Sequence, residues 1–128
     1  MTLLDTCTLL WLTAAPAKLS KTAQKHLSLQ RGQLFVSAIS AFEIGVKYGR
    51  GKLELPMPLQ DWYAEALEFH GLREVPVNGS IALYSTTLPR LHADPCDRMI
   101  VATAQLLRMK VVTPDSLIRA YPEVEVVW

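Results

Sequence analysis

Cysteine is scarce: Cys7 and Cys96 are the only two, and no CxxC pair exists. That pattern gives no disulfide framework, and both residues are expected as small buried core groups in a reducing compartment. His26, His70 and His92 stand far apart, with no pair at helical spacing, so a zinc site is not expected. Phosphate-cradling GxxxxGK and dinucleotide GxGxxG loops are both absent. No apolar run is long enough to span a bilayer, and no basic leader precedes the first one, so neither membrane insertion nor a signal peptide is expected. The expected location is the cytoplasm. A large positive excess is missing too: the formal net charge is +1. Basic residues are therefore offset by acids, which are free to gather in a metal site.

What is present is a chain of 128 residues, half of them hydrophobic. This suits one domain over 1–128 with a core of its own. Short apolar strands are expected at Leu3-Leu4, Leu34 to Ser37, Leu72 to Val77, Val111-Val112 and Val124 to Val127. Helical patterns lie between them: Thr8 to Thr13, a Ser20-capped helix to about Leu29, and a Ser40-capped helix through Tyr48. Further helices follow at about Leu59 to Phe69, Ile81 to Thr87 and Cys96 to Leu107. Trp62, Ala66 and Phe69 would form one apolar face. Apolar strands alternating with helices predict an α/β fold with a mostly parallel sheet covered on both faces. Ligand sites in such sheets lie beyond the carboxyl ends of the strands.

Several acids fall at those ends. Asp5 follows the first strand, where it is either a helix cap or a site residue. Ser40 and Glu43 match a capping box, and the same placement holds a carboxylate where an ion could bind it. In Asp94-Pro95-Cys96-Asp97, Asp94 suits the N-cap and Pro95 the first helical position, which leaves Asp97 for chemistry or for the helix dipole. In Thr113-Pro114-Asp115, Thr113 suits the cap and Asp115 is the spare carboxylate. Carboxylates gathered at one sheet edge repel unless protonated or bridged by cations, and hard Mg²⁺ or Mn²⁺ suits oxygen ligands. Lys47, Arg50 and Lys52 form the densest basic cluster, readable as an RNA contact or as a solvated helix end.

These motifs together resemble the PIN-domain ribonucleases, in particular the VapC-type toxins of toxin–antitoxin pairs. The resemblance is carried by Leu3-Leu4-Asp5-Thr6, by Val36 through Ile44, by Gly51 through Pro56, by His92 through Ala102, by Val112 through Asp115 and by the ending Val124 to Trp128. It covers nearly the whole chain in order. It implies a three-layer α/β/α fold and RNA cleavage with Mg²⁺ or Mn²⁺. It also implies a homodimer and neutralisation by a small antitoxin. Carried over by position, the family's acids fall on Asp5, Glu43, Asp97 and Asp115, with Asp94 as an accessory acid. Two positions depart from the pattern. Cys96 stands where an aromatic residue is frequent, and Pro114 where a basic residue is common, which implies one phosphate contact fewer.

The mechanism so implied is metal-assisted phosphodiester hydrolysis. Asp5, Glu43, Asp97 and Asp115 would be catalytic and metal-binding. Thr6 and Thr113 would be accessory, through hydrogen bonds or as turn and cap residues. Lys47, Arg50, Lys52 and Arg98 are candidate RNA contacts, Arg98 having a rival role in pairing with a subunit or the acidic site. A non-catalytic RNA- or protein-binding module is the alternative. A receiver- or phosphatase-like domain is disfavoured because Lys110 precedes its strand instead of following it. Trp11, on an N-terminal helix with more apolar surface than one stripe needs, is the candidate anchor for a partner.

Overall fold

The computed structural model describes residues 1–128. Five parallel strands, β1 (Thr2–Leu4), β2 (Leu34–Ser37), β3 (Leu72–Val75), β4 (Lys110–Val112) and β5 (Val126–Val127), stand in the order β3-β2-β1-β4-β5. Seven helices connect them: α1 (Thr6–Ala14), α2 (Lys21–Leu29), α3 (Ala38–Gly49), α4 (Leu59–His70), α5 (Gly79–Thr87), α6 (Pro95–Leu107) and α7 (Ser116–Arg119). A single 3-10 turn, Pro16–Lys18, lies between α1 and α2.

Side chains alternate across a strand, and here both faces are buried. Leu3 and Val111 point into one core with Ile81, Leu88, Ile100, Val101 and Ala104. Leu4 and Val112 point into the other, with Leu9, Ala23, Leu27, Ile44, Trp62 and Ala66. The result is the expected three-layer α/β/α arrangement. β1 is central and pairs Leu4 with Val36 on one side and Val112 on the other. The chain runs from β1 outward to β3, then returns to the other flank of β1 for β4. A crevice therefore opens beyond the carboxyl ends of β1 and β4. No helix is long and apolar enough to cross a membrane.

Five expectations are corrected here. The N-cap of α3 is Ser37, whose hydroxyl accepts from the Ile39 amide at 3.1 Å. β2 passes into α3 without a loop, so Ser40 lies inside the helix, fully buried, and no capping box with Glu43 forms. The cap of α7 is Asp115, which accepts from the Leu117 amide at 2.8 Å, and not Thr113. Phe69 shares its helix face with Trp62 and Ala66 but emerges at the last turn of α4, 72% exposed. Trp11 is half-buried against the Trp128 ring, with centroids 5.8 Å apart, and is thus less exposed than expected. Both cysteines are free and half-buried, short of full core burial.

Candidate metal and active site

Asp5 leaves the carboxyl end of β1 and begins α1. Its Oδ1 accepts from the Thr8 amide at 2.8 Å, and its Oδ2 accepts from the Thr113 hydroxyl. The side chain is thus both a helix cap and a clamp onto the segment that follows β4. The Asp5 amide and the Thr8 hydroxyl both donate to the Val112 carbonyl, at 3.3 and 2.8 Å. Burial pushes the Asp5 carboxyl above its ordinary range, while the hydrogen bonds from Thr113 and Thr8 pull it back.

Glu43 reaches the same crevice from the second turn of α3. Thr6 donates to its Oε1 at 2.6 Å and shares a 2.8 Å hydrogen bond with Ser40. The buried Ser40 hydroxyl therefore supports the threonine that orients Glu43. Burial raises the Glu43 carboxyl, Thr6 lowers it, and Asp94 raises it further.

The N-terminus of α6 supplies the densest charge. Asp94 caps the helix through the Cys96 amide at 2.8 Å, and Pro95 opens it, as the sequence pattern implies. Asp97 follows in the first turn and is raised to about 7, first by burial and then by the neighbouring charges of Asp94 and Glu43, against a lowering by His92. An acid held that high is a site where positive charge is favoured. The nearby Cys96 thiol is raised to about 11 by burial and by Glu43, Asp94 and Asp97.

His92, Asp97 and Asp115 bring one ligand-type atom each within 4.8 Å of one another, a cluster able to coordinate a metal ion. His92 Nε2 lies 3.1 Å from Asp97 Oδ2 and 2.8 Å from Asp115 Oδ2. Asp5 and Glu43 stand outside that triple, each anchored by its own threonine. They remain coupled to it: the Asp5 charge acts on Asp97, and the Asp115 charge acts on Asp5. The donor set is dominated by carboxylate oxygen, and its mutual repulsion is what a hard divalent cation would relieve. The residues present fit such an ion.

A family model described as the PIN domain matches residues 2–124. The chain belongs to the PIN-domain family. Within it the affinity is to VapC: the sequence is 32% identical over 129 residues to Ribonuclease VapC22 of Mycobacterium tuberculosis, covering 98% of this chain and 97% of that protein. Among solved structures, the fold is similar to VapBC2 from Rickettsia felis bound to a DNA fragment from their promoter. The TM-score is 0.73 at 16% identity, over 98% of this chain and 97% of that one. It is also similar to DNA-bound VapBC from Salmonella typhimurium, with TM-score 0.69 at 18% identity, over 98% and 95% of the two chains. A toxin–antitoxin complex from Klebsiella pneumoniae gives 0.67 at 20% identity, over 97% and 95%.

In this VapC-family chain His92 joins the acids without having been among the candidates in sequence. It opens the very string that holds Asp94 and Asp97, and a histidine within five residues of two site acids was the available signal. Arg98 is drawn inward. Its guanidinium donates to the carbonyls of Ser85 at 2.9 Å, Leu88 at 2.8 Å, Pro89 at 3.0 Å and His92 at 3.3 Å, and to the Tyr121 hydroxyl at 3.3 Å. It ties the loop carrying His92 onto α6. Lys47, Arg50 and Lys52 are exposed. The Lys47 charge lowers Glu43, which puts it within electrostatic reach of the acids.

Proposed function

We propose that the chain is a toxin endoribonuclease that hydrolyses RNA phosphodiester bonds with Mg²⁺ or Mn²⁺ and is neutralised by a small cognate antitoxin in the cytoplasm. The observation that carries this reading is the meeting of carboxylates from four separate chain segments at the β1/β4 crevice, with Asp97 raised to about 7 by burial and its acidic neighbours.

Asp5, Glu43, Asp97 and Asp115 would hold the ion, with Asp94 as an accessory charge. When bound, a hard divalent cation supplies polarisation of the phosphate and activation of an attacking water. The chain's own residues do the positioning. Thr113 and Thr8 fix both oxygens of Asp5, so its carboxylate is presented without rotation. Thr6, backed by Ser40, fixes one oxygen of Glu43 and leaves the other free to accept from water. Lys47, with Arg50 and Lys52 beyond the end of α3, would receive the phosphates that flank the cleaved bond.

Solved relatives that are toxin–antitoxin complexes support the antitoxin part. A cavity of ≈ 460 Å³ bordered by Leu12, Pro16, Met57, Trp62, Ala66 and Phe69 offers an apolar seat for it, with Phe69 as the exposed anchor in place of Trp11. A homodimer is part of the same reading. The test is cleavage of purified RNA by the isolated chain. Activity that is lost on chelation and restored by added Mn²⁺ supports the reading. RNA left intact at every Mn²⁺ and Mg²⁺ concentration, by protein shown to be folded, refutes it.

A further inference from the structure

His92 is held at every polar atom it has. Its amide donates to the Tyr121 hydroxyl at 2.9 Å, and its carbonyl accepts from Arg98 at 3.3 Å. Its ring, only 11% exposed, accepts at Nδ1 from the Asp94 amide at 3.1 Å. That last bond decides the tautomer. A backbone N–H can only donate, so Nδ1 must present its lone pair, and the ring proton must sit on Nε2. Moving the proton to Nδ1 would set two donors against each other. Nε2 donates to Asp115 Oδ2 at 2.8 Å, and Asp97 Oδ2 lies 3.1 Å from the same nitrogen in contact but without a hydrogen bond. With a proton on it, Nε2 has no lone pair for a metal.

We propose that His92 is a positioning residue of the metal site and not a ligand: Nε2–H, locked by the Asp94 amide on Nδ1, is donated to Asp115 Oδ2, and the imidazole so held stands between Asp115 and Asp97 and sets the spacing of the two carboxylates. The proposal rests on the metal-site reading above and deepens it. Asp115 is then held at both oxygens, by Leu117 at Oδ1 and His92 at Oδ2, while Asp97 accepts no hydrogen bond from the protein and touches His92 through Oδ2 alone. One helix cap and one imidazole thereby join the end of β4 to the start of α6. The arrangement also removes the single ring nitrogen from the donor set. The site becomes one of oxygen atoms, suited to Mg²⁺ and Mn²⁺ over ions that favour imidazole.

The test combines imidazole ¹⁵N spectra of the full chain with calorimetric Mg²⁺ titration. The spectrum of His92→Gln, which lacks the His92 signals, provides their assignment. The expected result is a protonated Nε2 and an unprotonated Nδ1 at His92, unchanged at saturating Mg²⁺. Gln can place an amide N–H near the original Nε2–H, so His92→Gln is expected to keep Mg²⁺ affinity within about threefold, while His92→Ala loses about tenfold or more. Overturning results are the opposite tautomer, loss of the Nε2 proton on Mg²⁺ binding, wild-type affinity in His92→Ala, or no Mg²⁺ binding by the wild-type chain. RNA cleavage is scored separately. A chain that binds Mg²⁺ with His92 in the expected tautomer but cleaves no RNA would refute the nuclease reading and uphold the role of His92.

Discussion

Thr113 donates its hydroxyl to Asp5 across 108 residues of sequence, joining the segments that follow β4 and β1. The same oxygen accepts from the Asp115 amide at 3.0 Å, so one side chain positions two acids. Thr113→Val keeps the shape and removes both interactions. The expected outcome is a loss of about 1–3 kcal/mol in denaturant unfolding, because a buried carboxylate loses its donor. Metal affinity should also fall, by about tenfold, when the support of a ligating carboxylate is removed. Unchanged stability and affinity in this variant would show that the hydrogen bond does not organise the site.

Asp97 should make the metal-free protein less stable as the pH rises. Its folded-state value, about 7, lies above the ordinary aspartate value of 3.8. The folded form therefore binds the proton more tightly than the unfolded form. The associated stability is present below the ordinary value and is lost as the pH rises through about 7. Asp97→Asn removes this dependence. It should stabilise the metal-free chain at pH 8 by about 1 kcal/mol, a figure discounted for solvent screening of a partly exposed group. The gain should vanish toward pH 4. Thermal melts of both proteins in chelator across that range provide the check.

Asp94→Asn should be far milder than Asp97→Asn in cleavage assays. Asn accepts from the Cys96 amide as Asp does, so the cap of α6 survives. The lost charge is one that raises Asp97, so the Asp97 carboxyl should titrate lower in this variant. Equal cleavage rates in the two variants, at matched folding and metal concentration, would contradict the division of roles.

Basic residues separate into two classes. Lys47→Ala and Lys52→Ala should weaken RNA binding and reduce the salt slope by about one unit each, at little cost in stability. Arg98→Ala should instead destabilise the fold by about 2–4 kcal/mol, because a charged donor shared among several carbonyls is removed and those carbonyls are left unpaired. Salt titrations of RNA binding, set beside denaturant unfolding, distinguish the two classes.

The exposed ring of Phe69 gives a test of the partner surface. Phe69→Asp should leave folding and nuclease activity intact and weaken antitoxin binding by about 2 kcal/mol or more. Full antitoxin affinity in this variant, measured by calorimetry, would move the interface elsewhere.

Much of this was legible in sequence because local chemistry and tertiary placement agreed. Strand-ending acids and the Asp94-Pro95 start of α6 depend on neighbours in the chain, and they fell where expected. The misplaced helix caps arose where two candidates stood three or fewer residues apart. Ser37 and Ser40 can both cap a helix, and only the abrupt passage from β2 into α3 makes Ser37 the cap while Thr6 claims Ser40. Thr113 and Asp115 can both cap α7, and the choice follows from the pull of Asp5, just beyond another strand, on the threonine hydroxyl. His92 was missed because its partner Asp115 is 23 residues away in sequence. The order β3-β2-β1-β4-β5 likewise depends on a crossover that no local pattern records.

The central claim is that the carboxylates at the β1/β4 crevice perform metal-dependent RNA cleavage. The most direct measurement compares Mn²⁺-dependent cleavage of one RNA by the wild-type chain, Asp5→Asn and Asp97→Asn, each shown by circular dichroism to be folded. The account predicts cleavage by wild type alone, with both variants reduced by at least about a hundredfold, the loss of about 2.7 kcal/mol of transition-state stabilisation. Equal Mn²⁺-dependent cleavage by all three proteins would contradict it.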